Sequence, residues 1–185
     1  MKEIVPDFQL GQTVPGTNSA GELINEALIG RTHEFPITEE VAAALNMDVR
    51  TVGRTIKARA MRNTSGGALL PGKVGVTTTA DGIAGLGRLT GGGTLNARQA
   101  YTIDPGIPAA GVADDDICYV IIEGPVLVNF AAATTIAAGA VIKAGAAGVH
   151  VAATLSTDHG RLMGTMIAAI SSGTQGIADI KLEWN

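Results

Sequence analysis

ICYVIIEGPVLVNF (117–130), TTIAAGAVIKAGAAGVHVAA (134–153) and GRLMGTMIAAISSGTQGIADIKL (160–182) are runs of β-branched residues cut at short intervals by glycine. Val, Ile and Thr favour extended backbone, and glycine supplies the positive φ that tight turns need. The C-terminal third is therefore expected to be a compact β unit of short strands. Within it, residues 118–122 and 126–130 read as two consecutive strands joined by a turn or bulge at Glu123-Gly124-Pro125, with Pro125 where no ladder hydrogen bond is needed. Residues 131–138 have alanine's helix propensity, weakened by Thr134, Thr135 and Gly139.

Working outward, GGALLPGKVGVTTTADGIAG (66–85) shares this layout: LLPGKVGV stands beside TIAAGAVIK, and a second turn follows at Asp81-Gly82 or Ala147-Gly148. The pattern suggests an internal repeat of strand, turn and strand, two units of which would be halves of one barrel. Gly67 to Lys73 also fits the GxxxxGK part of a phosphate loop. However, Val74 stands where Ser or Thr should ligand magnesium, and the β-branched residues after it read as strand where phosphates need a helix N-terminus. No nucleotide site is expected.

With 185 residues the chain is long enough for one main domain with a sizeable core. Only 16% of its residues are charged and 3% aromatic, so the mean hydropathy of +0.28 comes from Ala, Val, Ile and Leu. A surface so poor in charge is easier to explain if part of it is buried against other chains. The net charge of -4 offers no basic face to displace counterions, which argues against bulk nucleic-acid binding. Cys118 is the single cysteine and reads as a buried structural thiol in a reducing compartment. MKEIVPDFQLG lacks the basic start and apolar run of a secretion signal. Residues 117–142, the most apolar window, are interrupted by Glu123, Gly124, Pro125 and Asn129, short of the roughly 20 apolar residues that span a bilayer.

Residues 1–46 carry Lys2 and Arg31 against seven acids, together with Pro6, Pro15 and Pro36 and isolated hydrophobes such as Phe8, Leu10 and Phe35. They read as an extended arm, which orders only on a partner surface, or as a disordered tail. Two short helical pieces are expected in it: GELINEALIG, closed by Gly30, and TEEVAAAL, with Thr38 as N-cap and acids in the first turn. Residues 47–62 reverse the charge, with Arg50, Arg54, Lys57, Arg59 and Arg62 against Asp48. EEVAAALNMDVRTVGRTIKA (39–58) looks like a helix-turn-helix, yet Gly53 would sit inside the recognition helix at a cost of about 1 kcal/mol. Val52, Arg54, Ile56, Ala58 and Ala60 instead alternate with polar residues as in a half-exposed strand, whose basic side chains would face an acidic neighbour, such as the arm of another copy. Strand is the favoured reading.

No catalytic constellation stands out. Gly91 to Gly93 reads as a loop tip, and Asp114-Asp115-Asp116 as a solvated turn, since three adjacent carboxylates cannot converge on one calcium ion. His33, His150 and His159 lie in three unrelated segments and suggest neither a metal site nor a base. Lys143 lacks the flanking pattern of a biotin or lipoyl carrier and reads as a solvent-facing strand lysine. No cofactor and no metal are expected.

Glu123-Gly124-Pro125-Val126, Ile136 with Gly139 and Ile142, and residues 164–182 give a pattern that resembles the small capsid decoration proteins of tailed phages, also called cement or stabilisation proteins. The resemblance covers roughly the last 70 residues and, more weakly, residues 66–82. It implies a small β-barrel or β-tulip domain, placed here at 51–185 of a mainly β chain; the arm at 1–50, with its one or two short helices, and the Arg-rich segment have no counterpart in that family. It also implies a homotrimer on the capsid exterior, assembled in the host cytoplasm, whose partner is the major capsid protein. Phe8, Phe35, Arg50, Arg54 and Trp184 are the interface candidates, the aromatics because such side chains anchor interfaces. The rival reading is a DNA-binding regulator that uses the helix-turn-helix and keeps the β region for oligomerisation. No membrane partner is expected under either reading.

Overall fold

The computed structural model describes residues 8–45, 47, 51–77, 85–88, 100–158 and 162–182, with backbone alone for 85–88. The strands are β1 (Thr13–Val14), β2 (Thr32–Pro36), β3 (Thr55–Asn63), β4 (Val74–Thr77), β5 (Gly85–Arg88), β6 (Ala100–Ile103), β7 (Ile117–Ile136), β8 (Val141–Ala144), β9 (His150–Ala152), β10 (Leu162–Met166) and β11 (Ile170–Lys181). One six-residue helix, α1, spans Glu39–Ala44. The protein is mainly β, as the composition of its strands requires.

β7 is the spine. Its 20 residues run through Glu123-Gly124-Pro125, where a turn or bulge was expected; the register against β3 skips from Ile121 to Glu123, so of the two it is the bulge that forms. Gly124 takes φ 106 and lets β7 kink instead of reversing, and a Cβ there would stand 2.4 Å from the Thr55 carbonyl oxygen. Only glycine fits both constraints. The helix considered for 131–138 is absent as well: β7 continues to Ile136, with Ala133 at φ 57 where the β11 register shifts, and Thr134 and Ile136 pair with Gly173 and Ile170 of β11. Tertiary pairing overrides alanine's propensity here.

At the kink, β7 changes partners. On one edge it pairs with β3 up to Glu123 and with β11 from Glu123 onward. On the other edge it meets β6 at Val120 and Ile121, the residues that β3 also faces, and β9 at Phe130. Following the pairings, β7-β3-β5-β4-β6-β7 closes one five-stranded ring. A second ring closes as β7-β11-β10-β8-β9-β7. The repeat thus has a different meaning from the one expected. β4 and β8, the strands of the two similar segments, are not halves of one barrel; each lies between two antiparallel neighbours in a ring of its own. Closure leaves few unpaired edges, which for short strands removes the main route to aggregation. The core follows the spine, with Val120, Ile121, Val126, Val128, Ile142, Met163 and Ile180 fully buried.

The later part of the proposed recognition helix, from Thr55 on, is strand β3, so the helix-turn-helix is not formed. Ile56, Ala58 and Ala60 are buried while Thr55, Lys57 and Arg59 are more open, and this alternation carries the strand. α1 begins as expected, with the Thr38 hydroxyl accepting from the Val41 N–H at 3.2 Å. The GELINEALIG piece is only a 3-10 turn at Glu26–Leu28, after which Gly30 takes φ 82.

Candidate functional site

Four places on this framework bring chemistry-bearing side chains together. The first lies under the N-terminal segment. Phe8 stacks on Tyr119 of β7 with ring centroids 4.1 Å apart, and Phe35 and His33 of β2 meet the same tyrosine edge-on at 5.1 and 5.7 Å. Phe8 is buried, so it anchors its own chain inward and presents nothing to a partner, while Phe35 is half-buried. Asp104, at the end of β6, accepts the N–H of Gly11 at 2.6 Å and of Gly106 at 2.9 Å. Burial still pushes its carboxyl up to about 6, because two amide bonds do not replace the lost hydration. The segment is thus held by stacking, by a buried carboxylate and by the two-residue pairing of β1 with β7. Cys118 beside it is fully buried, and burial raises its thiol pKa, which makes it an inert packing residue.

The second place is a cleft of about 360 Å³ at the kink, where the start of β3 meets the end of β11. Arg54 reaches Asp179 at 2.7 Å, with Glu123 and Lys181 lining the same cleft. The acidic neighbours expected for the basic segment therefore come from the same chain: Arg54 finds Asp179, and Lys57 lies 4.0 Å from its cross-strand partner Glu34. Arg50 and Trp184 fall outside the described residues, as do the 91–93 glycines and His159.

The third place is the seam between the rings. His150 of β9 is fully buried, with Nε2 3.0 Å from the Thr102 hydroxyl of β6 and Nδ1 3.1 Å from the Asn129 carbonyl of β7. Nδ1 therefore carries the proton and donates to the carbonyl, while Nε2 accepts from the hydroxyl. Burial pulls the imidazole down to about 4. Asn129 ties the seam further: its backbone N–H donates to the Gly72 carbonyl, its side-chain amide donates to the Pro71 carbonyl, and its side-chain oxygen accepts from Gln175. Nothing in sequence spacing marked this node, since Thr102 and Asn129 lie far from His150 along the chain.

The fourth place is the free end of the second ring. Residues 124–142 and 162–178 contain no Asp, Glu, Lys or Arg. They pair with each other along β7 and β11, and Ala131, Ala132, Thr135, Ala137, Ala138, Ser171, Ser172, Thr174 and Gln175 are exposed there. Lys143 and Asp158 at the side of this ring neutralise each other at 2.7 Å, so the lysine is not the solvent-facing side chain expected, and Lys73 lines a cleft with Thr174 and Gln175. The result is a surface of mostly small, uncharged side chains with Lys73 at its border.

Among the described residues, no group of three or more His, Cys, Asp or Glu is placed to hold a metal ion. The Asp114 run behaves as a turn: Asp114 accepts the Gly66 N–H at 2.8 Å, and Asp115 takes φ 65. The GxxxxGK segment leads directly into strand β4, so it has no helix to present to a phosphate. No protein-family model matches the chain, and no curated protein matches it. Among solved structures it is similar to the head fiber gp8.5 N base of bacteriophage phi29, at a TM-score of 0.41 and 16% identity over 70% of this chain and 99% of that one.

Proposed function

We propose that this is a structural virion protein that binds the outer surface of an icosahedral phage capsid and stabilises contacts between major capsid protein subunits. The observation that carries the reading is the end of the second ring, where the exposed parts of two charge-free stretches, around 131–138 and 171–175, lie side by side. A surface of Ala, Ser and Thr on a closed β framework suits broad, dry contact with another protein, because little hydration is lost and few side chains need ordering. The resemblance of the C-terminal pattern to decoration proteins points the same way. A homotrimer on the capsid exterior, without cofactor, is the assembly this reading expects.

The test is co-sedimentation of the full chain with capsids assembled from the major capsid protein of the same phage, followed by heating of the decorated particles. Binding that raises the capsid disruption temperature, and that Ala132→Glu with Thr174→Glu abolishes while the circular dichroism melt stays unchanged, supports the reading. Equal binding by the charged variant, or none by the parent, overturns it. Light scattering on the free protein reports the trimer separately.

A further inference from the structure

We propose that the His150 seam is an acid-sensitive latch between the two rings: protonation of this one imidazole releases the second ring from the first while each ring keeps its own pairings. The geometry is that of a joint. β6 belongs to the first ring, β9 to the second and β7 to both, and the imidazole bridges all three through Thr102, its own strand and Asn129. Outside β7 itself, the described ties near it are the Asn129 bonds to residues 71–72 and the close approach of Gly148 to the Val74 carbonyl, 3.2 Å from where a Cβ would stand.

The surroundings give a protonated ring no anion. From β6 it faces Thr102, and Asp104 two residues on is committed to the Gly11 and Gly106 amides. From β7 it faces Asn129 and Phe130, the latter with a ring centroid 6.1 Å away. β8 contributes Ala144 opposite it, and the adjacent Lys143 is held by Asp158. The segment before β4 brings Lys73, whose Cβ lies 3.9 Å from the Cβ position at Gly148. A cation in this setting is opposed by burial, so a charged His150 is stabilised by leaving the seam.

The sign follows from linkage. The folded imidazole, at about 4 against an ordinary 6.5, contributes stability that is complete above pH 6.5 and lost as pH falls toward 4. Asp104, raised to about 6, acts oppositely: its contribution is complete below its ordinary 3.8 and lost as pH rises through about 6. The two offset one another in any global melt, so the latch must be read locally. Between pH 7 and pH 4.5 the open population of the seam should rise about 50-fold.

Hydrogen exchange on the full chain, corrected for intrinsic rates, measures this at the Asn129 amide, whose acceptor is the Gly72 carbonyl across the seam. The expected result is acid-induced loss of protection there, with the β3–β7 and β7–β11 ladders still protected, and no such change in His150→Gln. Equal seam protection at both pH values, the same acid response in His150→Gln, or simultaneous loss across both rings would overturn the latch. If the variant does not fold, direct NMR titration of His150 in the parent decides: a midpoint near 6.5 overturns the proposal, and one near 4 supports it.

Discussion

The two rings share a spine and a strand count but differ in how they meet solvent. The first is covered by residues 8–45, which place Phe8, Leu28, Ile37 and Leu45 in the core, and it keeps most of the aromatic contacts and many charges around its rim. Among the described residues, the second has no covering segment and little charge at its free end. The difference teaches that a low-charge sequence can hide two kinds of surface. One is buried within the chain, and the other is left open for contact outside it.

The largest expected effect comes from breaking what the rings have in common. Gly124→Val combines a positive φ with a collision against the Thr55 carbonyl, and should cost more than about 3 kcal/mol in urea unfolding. Both rings should weaken together, because the kink positions both partners of β7. A loss confined to one ring would separate them energetically.

A sharper contrast comes from Phe8→Ala, which removes the stack on Tyr119 and should cost about 3 kcal/mol. Hydrogen exchange should then rise at the Gly11 amide and in β1 while β8, β10 and β11 stay protected. Equal loosening in both rings would mean that the cover stabilises the whole molecule. The smallest effect is expected at the cleft between β3 and β11, where Arg54 and Asp179 have side chains 42% and 41% exposed. A double-mutant cycle with Arg54→Ala and Asp179→Ala should give a coupling of at most about 1 kcal/mol, falling with added salt.

Much of this fold was legible from local pattern. Glycine-cut β-branched runs marked β7 to β11, alternation at Ile56, Ala58 and Ala60 decided strand over helix, and Thr38 marked the start of α1. The misses share a cause, which is that long-range pairing outweighed a correct local signal. Gly124-Pro125 reads as a turn or a bulge, and pairing with β3 and β11 selects the bulge, so β7 kinks there and continues. The alanines at 131–133 favour helix but lie in the strand that β11 extends. For the candidate sites, Phe8 was recognised as an anchor, but its ring lies on Tyr119 of the same chain. His150 looked isolated because its partners are an ordinary threonine and a backbone carbonyl, and neither carries a spacing signature.

The shared spine also imposes an order of events during synthesis. Every strand of the first ring has been made once residue 123 has been added, whereas the second ring closes only through β11, near the end of the chain. Until then the half of β7 beyond Gly124 has no β11 to pair with, and it offers Val126, Leu127, Val128 and Phe130 along an open edge. A nascent chain stalled before residue 170 is therefore expected to be half folded and adhesive, and the 12 residues of β11 act as the piece that closes that edge.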